Sequence, residues 1–380
     1  MTSDQWPLVG FEFELLAPPG RSRRSLADAI ADNFGARVER VFHPQSEFVR
    51  LEEAPIFENL TLGFAVVGAD GLRIASCVDD LTLTADVDRS AKPEAGWYRV
   101  LSDDKRLLNL CMAQCDPENS VESVLLPLAD VFGTSLETVV KDGSAYRVTD
   151  LNGSSIALAV PLPGERHRPC EVVTAPLGRN RDAVVRRILG LASDMDFTIP
   201  AEAATHIHFD GANLQSAKAI KALIDVFGRY RKDLRKIVGT NRQCVRLGDW
   251  PRDVYRTVAD ADFTELQWTD ARERLRNAGA QKYCDFNFTN LLSDRPTKQT
   301  FEVRILPGMR DAIAALRALR LFEAFLFVCL NRDDLVSQPL PMTELLPQLE
   351  LPADDLTYWR DRNGQSPRLS RFLFQQFDRE

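Results

Sequence analysis

The chain contains only four histidines, and two of them lie one residue apart in the apolar run Thr205-His206-Ile207-His208-Phe209. This composition favours a short strand, and the Asp210-Gly211 pair that follows favours a turn. In a strand, residues i and i+2 project to the same face, so both imidazoles would enter one space. By itself, the pattern is about as compatible with two incidental polar residues on a strand as with a metal or anion site.

Three other segments place charged residues among apolar, β-favouring neighbours. Glu12 and Glu14 alternate with aromatic and apolar residues near the N-terminus, Glu302 and Arg304 do the same late in the chain, and Glu171 lies in a β-rich run between them. Four separated strands of this kind predict one polar cavity over a sheet. Acidic groups that line such a face repel each other unless cations neutralise them. Carboxylates with a minority of imidazole suit hard divalent ions, which makes magnesium or manganese the natural partner.

The overall composition excludes several other classes of protein. With a net charge of −8 and a pI near 5.3, no broad nucleic-acid-binding surface is expected. The seven cysteines are dispersed without a Cys-x-x-Cys pair, which predicts reduced thiols in a cytoplasmic protein. The longest apolar helical run, Ala312 to Leu330, is interrupted by Arg317, Arg320 and Glu323, so it is interpreted as a buried helix and not a membrane span.

Periodicity along the chain predicts a mixture of helices and strands without regular βαβ alternation. Helices are predicted over Leu26 to Phe34, 104 to 115, 120 to 141, Asn180 to Met195, Ser216 to Val238, 270 to 280 and 311 to 331. Strands are predicted at 62 to 67, 72 to 75, 81 to 87, 146 to 150, 155 to 160, 169 to 175, 282 to 292 and 300 to 306, with hairpin turns at Asp70-Gly71 and Asn152-Gly153. The Lys/Arg-rich face of the helix over 216 to 238 is most simply a solvated surface.

This pattern favours the α+β class with a mainly antiparallel sheet. Because the polar strands come from both ends of the chain, residues 1–335 are predicted to form a single catalytic domain, with a probable β-rich insertion near 40–100. Residues 336–380 are predicted to be an extension packed on that domain, with a docking helix near Arg368 to Phe377.

Five motifs then occur in a recognisable order: Gly-x-Glu-x-Glu, Glu-Val-Val-Thr-Ala-Pro-Leu, His-Ile-His-Phe-Asp, Lys-Tyr-x-x-x-Asn and Phe-Glu-Val-Arg. Together they resemble the amidoligases, which are carboxylate–amine ligases with a glutamine-synthetase-like fold, related to glutamate–cysteine ligases. No single motif is specific, but five in order are, and they span most of the chain. Three departures are mild: Ala204 stands where a glycine is common, Thr174 where a serine is usual, and Lys282 where an arginine is usual.

The resemblance implies a curved, mainly antiparallel sheet with helices on one face, and a metal site. At the matching positions, Glu12, Glu14, Glu171 and Glu302 would hold two or three magnesium ions, and manganese is an alternative. His206 matches the imidazole that joins this metal shell.

The resemblance also implies a nucleotide and substrate side of the same site. His208 matches an imidazole that leans toward the nucleotide phosphate, and Arg304 an arginine that contacts the acyl phosphate or the substrate carboxylate. Asn287 matches a polar position lining the cleft, although an ordinary sheet-edge role is equally compatible with it. Glu171 is a candidate for the base that deprotonates the amine, but metal ligation would compete with that role.

The function implied is an ATP- and Mg²⁺-dependent ligase that joins a carboxylate to an amine through an acyl phosphate. Its substrates are left open among small metabolites, peptides and protein side chains, and its oligomeric state is left open as well. Two alternatives remain at this stage: a zinc-dependent hydrolase built on the histidines and carboxylates, and a non-catalytic ligand-binding member of the same fold. No P-loop, Gly-x-Gly-x-x-Gly or Gly-x-Ser-x-Gly motif supports another enzyme class.

Overall fold

The structure is a computed structural model that describes residues 8–46, 58–140, 144–244, 246–294 and 299–364. The chain forms two compact units. The first comprises the N-terminal segment through Glu12, Pro176–Leu189 and the chain from Ala203 onward, and the second comprises Phe13–Ala175 and Gly190–Glu202. The single catalytic domain over 1–335 and the insertion near 40–100 stay predictions, and the helix predicted near Arg368 to Phe377 lies outside the described residues.

Within the described part of the chain, helices and strands are mixed without regular βαβ alternation, as in α+β proteins. The strands are β1 (Val9–Leu16), β2 (Arg37–Ser46), β3 (Glu58–Val67), β4 (Arg73–Val78), β5 (Tyr98–Ser102), β6 (Leu136–Thr138), β7 (Tyr146–Thr149), β8 (Ser155–Pro161), β9 (Pro169–Thr174), β10 (Ala204–Asp210), β11 (Phe286–Asn287) and β12 (Thr300–Pro307). The helices are α1 (Arg23–Phe34), α2 (Lys105–Gln114), α3 (Leu126–Phe132), α4 (Arg181–Asp194), α5 (Ala217–Val238), α6 (Arg252–Ala259), α7 (Trp268–Asn277), α8 (Ala312–Asn331), α9 (Asp333–Ser337), α10 (Met342–Leu345) and α11 (Ala353–Gly364).

The second unit is built on an antiparallel sheet with the strand order β9-β4-β3-β5-β8-β7-β6, and β2 also pairs with β3. The hairpin turns predicted at Asp70-Gly71 and Asn152-Gly153 are confirmed, since they connect β3 to β4 and β7 to β8. On this sheet, α2 and α3 bury an apolar cluster that includes Leu60, Tyr98 and Leu128.

Two sequence predictions in the second unit are wrong, each for a local reason. The strand predicted at 81 to 87 is a series of turns, because the Asp80 carboxylate accepts hydrogen bonds from both the backbone N–H and the hydroxyl of Thr82. Such side-chain bonds compete with a strand ladder. The helix predicted over 120 to 141 is limited to α3, because Gly133 adopts a left-handed conformation with φ 63° and ends it.

In the first unit, α5 and α8 pack against a four-stranded sheet with the order β11-β12-β10-β1. Ser216 caps α5 by accepting a hydrogen bond from the Ala219 N–H, and Gly239 ends the helix in a left-handed conformation with φ 74°. From this helix, Phe227 packs edge-on against Phe286 of β11 at 4.8 Å between ring centroids and against Phe301 of β12 at 5.0 Å. Burying these aromatic side chains on one face leaves the other face for the polar residues.

The α+β class and the antiparallel pairing are therefore confirmed, whereas the specific glutamine-synthetase-like comparison stays a prediction. Of the helices in the described ranges, none combines the length and apolar character needed to cross a bilayer.

Candidate functional site

Neighbouring strands of the first unit place polar residues in a row across the sheet face opposite Phe227. In the register of the sheet, Asn287 of β11 lies opposite Glu302 of β12, and Glu302 lies opposite His208 of β10. On β1, a side chain added at Gly10 would meet the Cβ of His208 at 3.6 Å. Glu12 is two residues beyond Gly10 and therefore projects to the same face. Alternation thus orients these side chains to one face, and the register of the sheet brings them to one site.

Glu12 contacts both imidazoles of the His-x-His strand. Its Oε2 lies 2.8 Å from His206 Nδ1, and its Oε1 lies 3.1 Å from His208 Nε2. Glu302 approaches the same two rings, with Oε1 at 3.5 Å from His206 Nδ1 and at 4.0 Å from His208 Nε2. Two carboxylates and two imidazoles therefore share one partly buried space.

Both oxygens of Glu302 are already engaged by neighbouring side chains. Arg304 donates from Nη1 to Oε1 at 2.5 Å, and Asn287 donates from Nδ2 to Oε2 at 2.7 Å. The Oδ1 of Asn287 accepts hydrogen bonds from the N–H and the hydroxyl of Thr289, which fixes the orientation of the amide. Both ends of Asn287 are thus bound to the protein, and its clearest role here is to orient Glu302.

A β-bulge lies in β12 at Arg304. The register between β10 and β12 is irregular between Thr205 and Ile207, so that Arg304 and Ile305 both oppose His206. An extra residue of this kind re-aims side chains and occurs often beside functional sites. Glu302 and Arg304 share the polar face because they are two residues apart, and the extra residue shifts the alternation for the residues of β12 that follow it.

His208 is oriented from its other ring nitrogen. Its Nδ1 lies 3.3 Å from the Thr300 hydroxyl, and that hydroxyl accepts a hydrogen bond from Asn290 Nδ2 at 3.1 Å. With Nδ1 directed at Thr300, Nε2 faces the carboxylates. This is the arrangement by which an outer residue fixes the tautomer of a ligating histidine.

The charges of the site shift one another's pKa values strongly. Burial raises the pKa of Glu12, but His208 and His206 outweigh it and bring that pKa well below its usual value. The pKa of Glu302 is also lowered, because Arg304 and His208 outweigh burial. Burial lowers the pKa of His208, but the two carboxylates raise it to about 9. Burial likewise lowers the pKa of Arg304, and Glu302 then raises it above its usual value. At neutral pH both carboxylates are therefore ionised, and a bound metal ion would displace the proton that His208 carries without one.

The donor atoms present fit a divalent cation. Within the described residues, oxygen atoms of Glu12 and Glu302 and a nitrogen of His208 all lie within 4.8 Å of one another. The Nε2 of His208 is buried and has no partner with hydrogen-bond geometry among those residues. Two carboxylates with one imidazole are a suitable donor set for a hard divalent ion. Such an ion would compete with Arg304 for Glu302 Oε1.

The six predicted residues of the first unit, then, come together: Glu12, His206, His208, Asn287, Glu302 and Arg304. Glu14 and Glu171 belong to the second unit, where Glu14 is 5% exposed on β1 and Glu171 lies opposite Val78 in the pairing of β9 with β4. Their metal-binding roles, and that of Glu171 as a base, stay predictions.

Two residues beside His208, Thr300 and Asn290, were not predicted as part of the site from the sequence. Thr300 is two residues before Glu302, so the same period-two alternation that identified Glu302 and Arg304 could have found it. Asn290 lies in a loop, where no periodic signal marks a residue that reaches the site.

Comparison with known proteins gives one informative finding. A family model described as "Putative amidoligase enzyme" matches residues 7–326, a range that contains all six residues of the site and those of the surrounding strands. Neither the curated proteins nor the solved structures gave a match.

Proposed function

Because the chain belongs to the amidoligase family, we propose that it is an ATP- and Mg²⁺-dependent ligase that joins a carboxylate to an amine. The observation that carries the proposal is the partly buried cluster of the first unit, in which Glu12 and Glu302 face His208 and Arg304. Family membership supports a ligase, and the cluster supports the charge stabilisation that ATP-driven activation of a carboxylate requires.

In this proposal the divalent cation is held by Glu12, Glu302 and His208. When bound, it supplies Lewis acidity and neutralises phosphate charge. Thr300 supports this arrangement by holding the other nitrogen of His208, and Asn287 does so by holding Glu302. His206, which contacts Glu12, is a further proposed ligand, and metal-binding roles for Glu14 and Glu171 stay predictions.

Arg304 is proposed to bind the anionic group of a substrate. Its guanidinium is planar and permanently charged, and it can donate to two phosphate or carboxylate oxygens at once. In the structure it is tied to Glu302 through Nη1, while Nε is buried without a hydrogen-bond partner in the described chain. A donor left in this state favours an oxygen ligand.

The reaction is proposed to have two steps, each of which balances. A carboxylate oxygen of the first substrate attacks the γ-phosphorus of ATP, which forms an acyl phosphate and releases ADP. The nitrogen of the amine then attacks the acyl carbon, which forms the amide, releases inorganic phosphate and frees one proton. The protein contributes position and charge stabilisation to the first step, since phosphoryl transfer needs little covalent help. Arg304 supplies positive charge where the phosphoryl oxygens would lie.

Trapping with hydroxylamine tests this proposal without knowledge of the natural amine. Wild-type protein is incubated with ATP, magnesium, hydroxylamine and a panel of amino acids, short peptides and small carboxylic acids. We expect at least one acid to yield a hydroxamate and ADP in equal amounts, and Arg304→Gln to yield neither. Arg317→Gln, on α8, is the matched control and should retain the activity. Amide hydrolysis that needs zinc but not ATP, and that is lost in Arg304→Gln, would contradict the ligase and favour a hydrolase.

A further inference from the structure

A second charged cluster lies directly before β11 and involves a residue outside the candidate site. Asp285 is 1% exposed, and its carboxylate accepts hydrogen bonds from two arginines of α5. Arg231 Nη1 lies 2.7 Å from Oδ2, and Arg235 Nη1 lies 2.6 Å from Oδ1. The basic face of this helix was predicted to be solvated, whereas these two arginines are only partly exposed and pair with a buried carboxylate.

The backbone of Asp285 connects this cluster to the candidate site. Its carbonyl oxygen accepts a hydrogen bond from the N–H of Arg304 at 3.0 Å, at the bulge of β12. Two residues later, Asn287 donates to Glu302. The segment that begins at Asp285 therefore positions both Asn287 and Arg304, the two side chains that donate to Glu302.

The short length of β11 makes an additional anchor necessary. The strand contains only Phe286 and Asn287, so its pairing with β12 supplies few ladder hydrogen bonds. Asp285 adds two hydrogen bonds to the main chain, because Gly248 donates its N–H to Oδ1 and accepts the Asp285 N–H through its carbonyl. A buried carboxylate between two guanidiniums allows little displacement, since moving it leaves buried charges unpaired.

The chain contains a chemically similar cluster at a different place. Asp355 of α11 is 3% exposed, and it accepts hydrogen bonds from Arg317 Nε at 3.1 Å and from Arg320 Nε at 2.5 Å, both on α8. Neither α8 nor α11 carries a residue of the candidate site. Asp355 is therefore a natural control for Asp285.

We propose that Asp285 is a positioning residue of the candidate site. Held by Arg231 and Arg235, it fixes β11 and the bulge of β12, and thereby sets Asn287 and Arg304 against Glu302. Where ligand affinity is the readout, the inference rests on the proposed function. Its structural part, the fixing of the two strands, can be tested without any ligand.

The test compares Asp285→Asn with Asp355→Asn, because each variant leaves two arginines without their carboxylate. Hydrogen–deuterium exchange is measured without ligand for peptides covering residues 284–288 and 301–306. In parallel, the affinity for ATP with magnesium is measured by calorimetry. We expect Asp285→Asn to speed exchange in both peptides and to weaken binding about tenfold or more, as outer-shell changes do. Asp355→Asn should leave exchange in these peptides and the affinity within about twofold of wild type.

Equal effects of the two variants on exchange and affinity would overturn the proposal. If wild-type protein binds neither ATP nor a divalent ion, the proposed function fails. The exchange measurement alone then decides whether Asp285 fixes these strands. If Asp285→Asn does not fold, Arg235→Lys with Arg320→Lys as its control provides the same comparison, since lysine keeps the charge but changes the geometry of the contact. Faster exchange in Arg235→Lys alone would support the proposal, and equal exchange in both would overturn it.

Discussion

The charged side chains of two clusters in this protein are bound by different kinds of partner. In the second unit, Arg23 is completely buried and donates to the carbonyl oxygens of Leu62, Arg166 and Pro169, at 2.8, 2.6 and 3.3 Å. Asp79 accepts from Arg166, which also donates to main-chain carbonyls. In the candidate site, by contrast, Glu302 is engaged only by side chains in the contacts described above. Charges bound to the backbone cannot change partners without disturbing the fold, whereas charges bound to side chains can.

The pKa values of the two arginines reflect this difference. Burial lowers the pKa of Arg23, and the Asp79 carboxylate only partly compensates. At Arg304 the effect of burial is outweighed by Glu302, and the pKa is raised. A cluster whose charges are held by side chains can exchange one of these partners for a ligand, whereas one bound to carbonyls mainly stabilises the fold. We therefore assign the Arg23–Asp79–Arg166 cluster to stability and the Glu12–Glu302 cluster to ligand binding.

The largest expected effect is on stability, in the second unit. Asp79→Asn leaves Arg23 and Arg166 buried without their carboxylate, so we expect the free energy of unfolding to fall by about 3–5 kcal/mol. Urea denaturation followed by circular dichroism measures this change. The affinity of the folded protein for divalent ions should stay the same. A marked loss of that affinity at full folding would contradict the division of roles between the clusters.

Glu12→Gln should have the opposite profile. The substitution removes the charge that contacts both imidazoles, so we expect manganese affinity to fall by about 100-fold, or about 2.7 kcal/mol, with little loss of stability. Titration calorimetry with manganese alone measures it. The matched control is Glu323→Gln on α8, where Glu323 is a buried glutamate that pairs with Arg181 at 2.7 Å. If both variants bind manganese equally, the proposed cation site is wrong.

A smaller effect is expected at Thr300. Thr300→Val removes the hydroxyl next to His208 Nδ1 but keeps the shape of the side chain, so we expect manganese affinity to fall about tenfold. The same calorimetric titration applies. Thr61→Val is the control, because Thr61 is a buried β-strand threonine whose hydroxyl donates to the His43 carbonyl in the second unit. An unchanged affinity in Thr300→Val would show that His208 needs no orientation from this side.

The smallest effect is expected at the exposed part of α5. Lys218 pairs with Asp333 at 2.7 Å, but both side chains are about two-thirds or more exposed, at 69% and 72%. Solvent screens such a pair, so Lys218→Ala should change neither the urea midpoint nor manganese affinity beyond experimental error. A clear change in either quantity would show that exposed Lys218 contributes as the less exposed Arg231 and Arg235 of the same helix do.

The sequence predicts the residues of the site better than their arrangement. Period-two alternation identified Glu12, His206, His208, Glu302 and Arg304 without any structure, because the alternation follows directly from strand geometry. The register that places His208 opposite Glu302 depends on pairing between distant segments, which no local pattern contains.

Other features were missed because non-local or competing contacts decide them. The bulge at Arg304 and the pairing of Arg231 and Arg235 with Asp285 depend on tertiary contacts that helical and strand periodicities do not encode. Residues 81 to 87 do alternate as a strand would, but the Asp80 carboxylate accepts a hydrogen bond from the Thr82 N–H and favours a turn instead. Local polar residues can thus override a strand pattern.

The most direct test of the central claim is calorimetric titration of ATP into wild-type protein and Glu302→Gln, with magnesium and separately with zinc. We predict magnesium-dependent ATP binding by the wild type and its loss in Glu302→Gln, because the variant removes a charge that holds both the cation and Arg304. Absence of nucleotide binding by the wild type under any divalent ion would contradict the ligase and leave a zinc hydrolase or a non-catalytic binding protein to be tested.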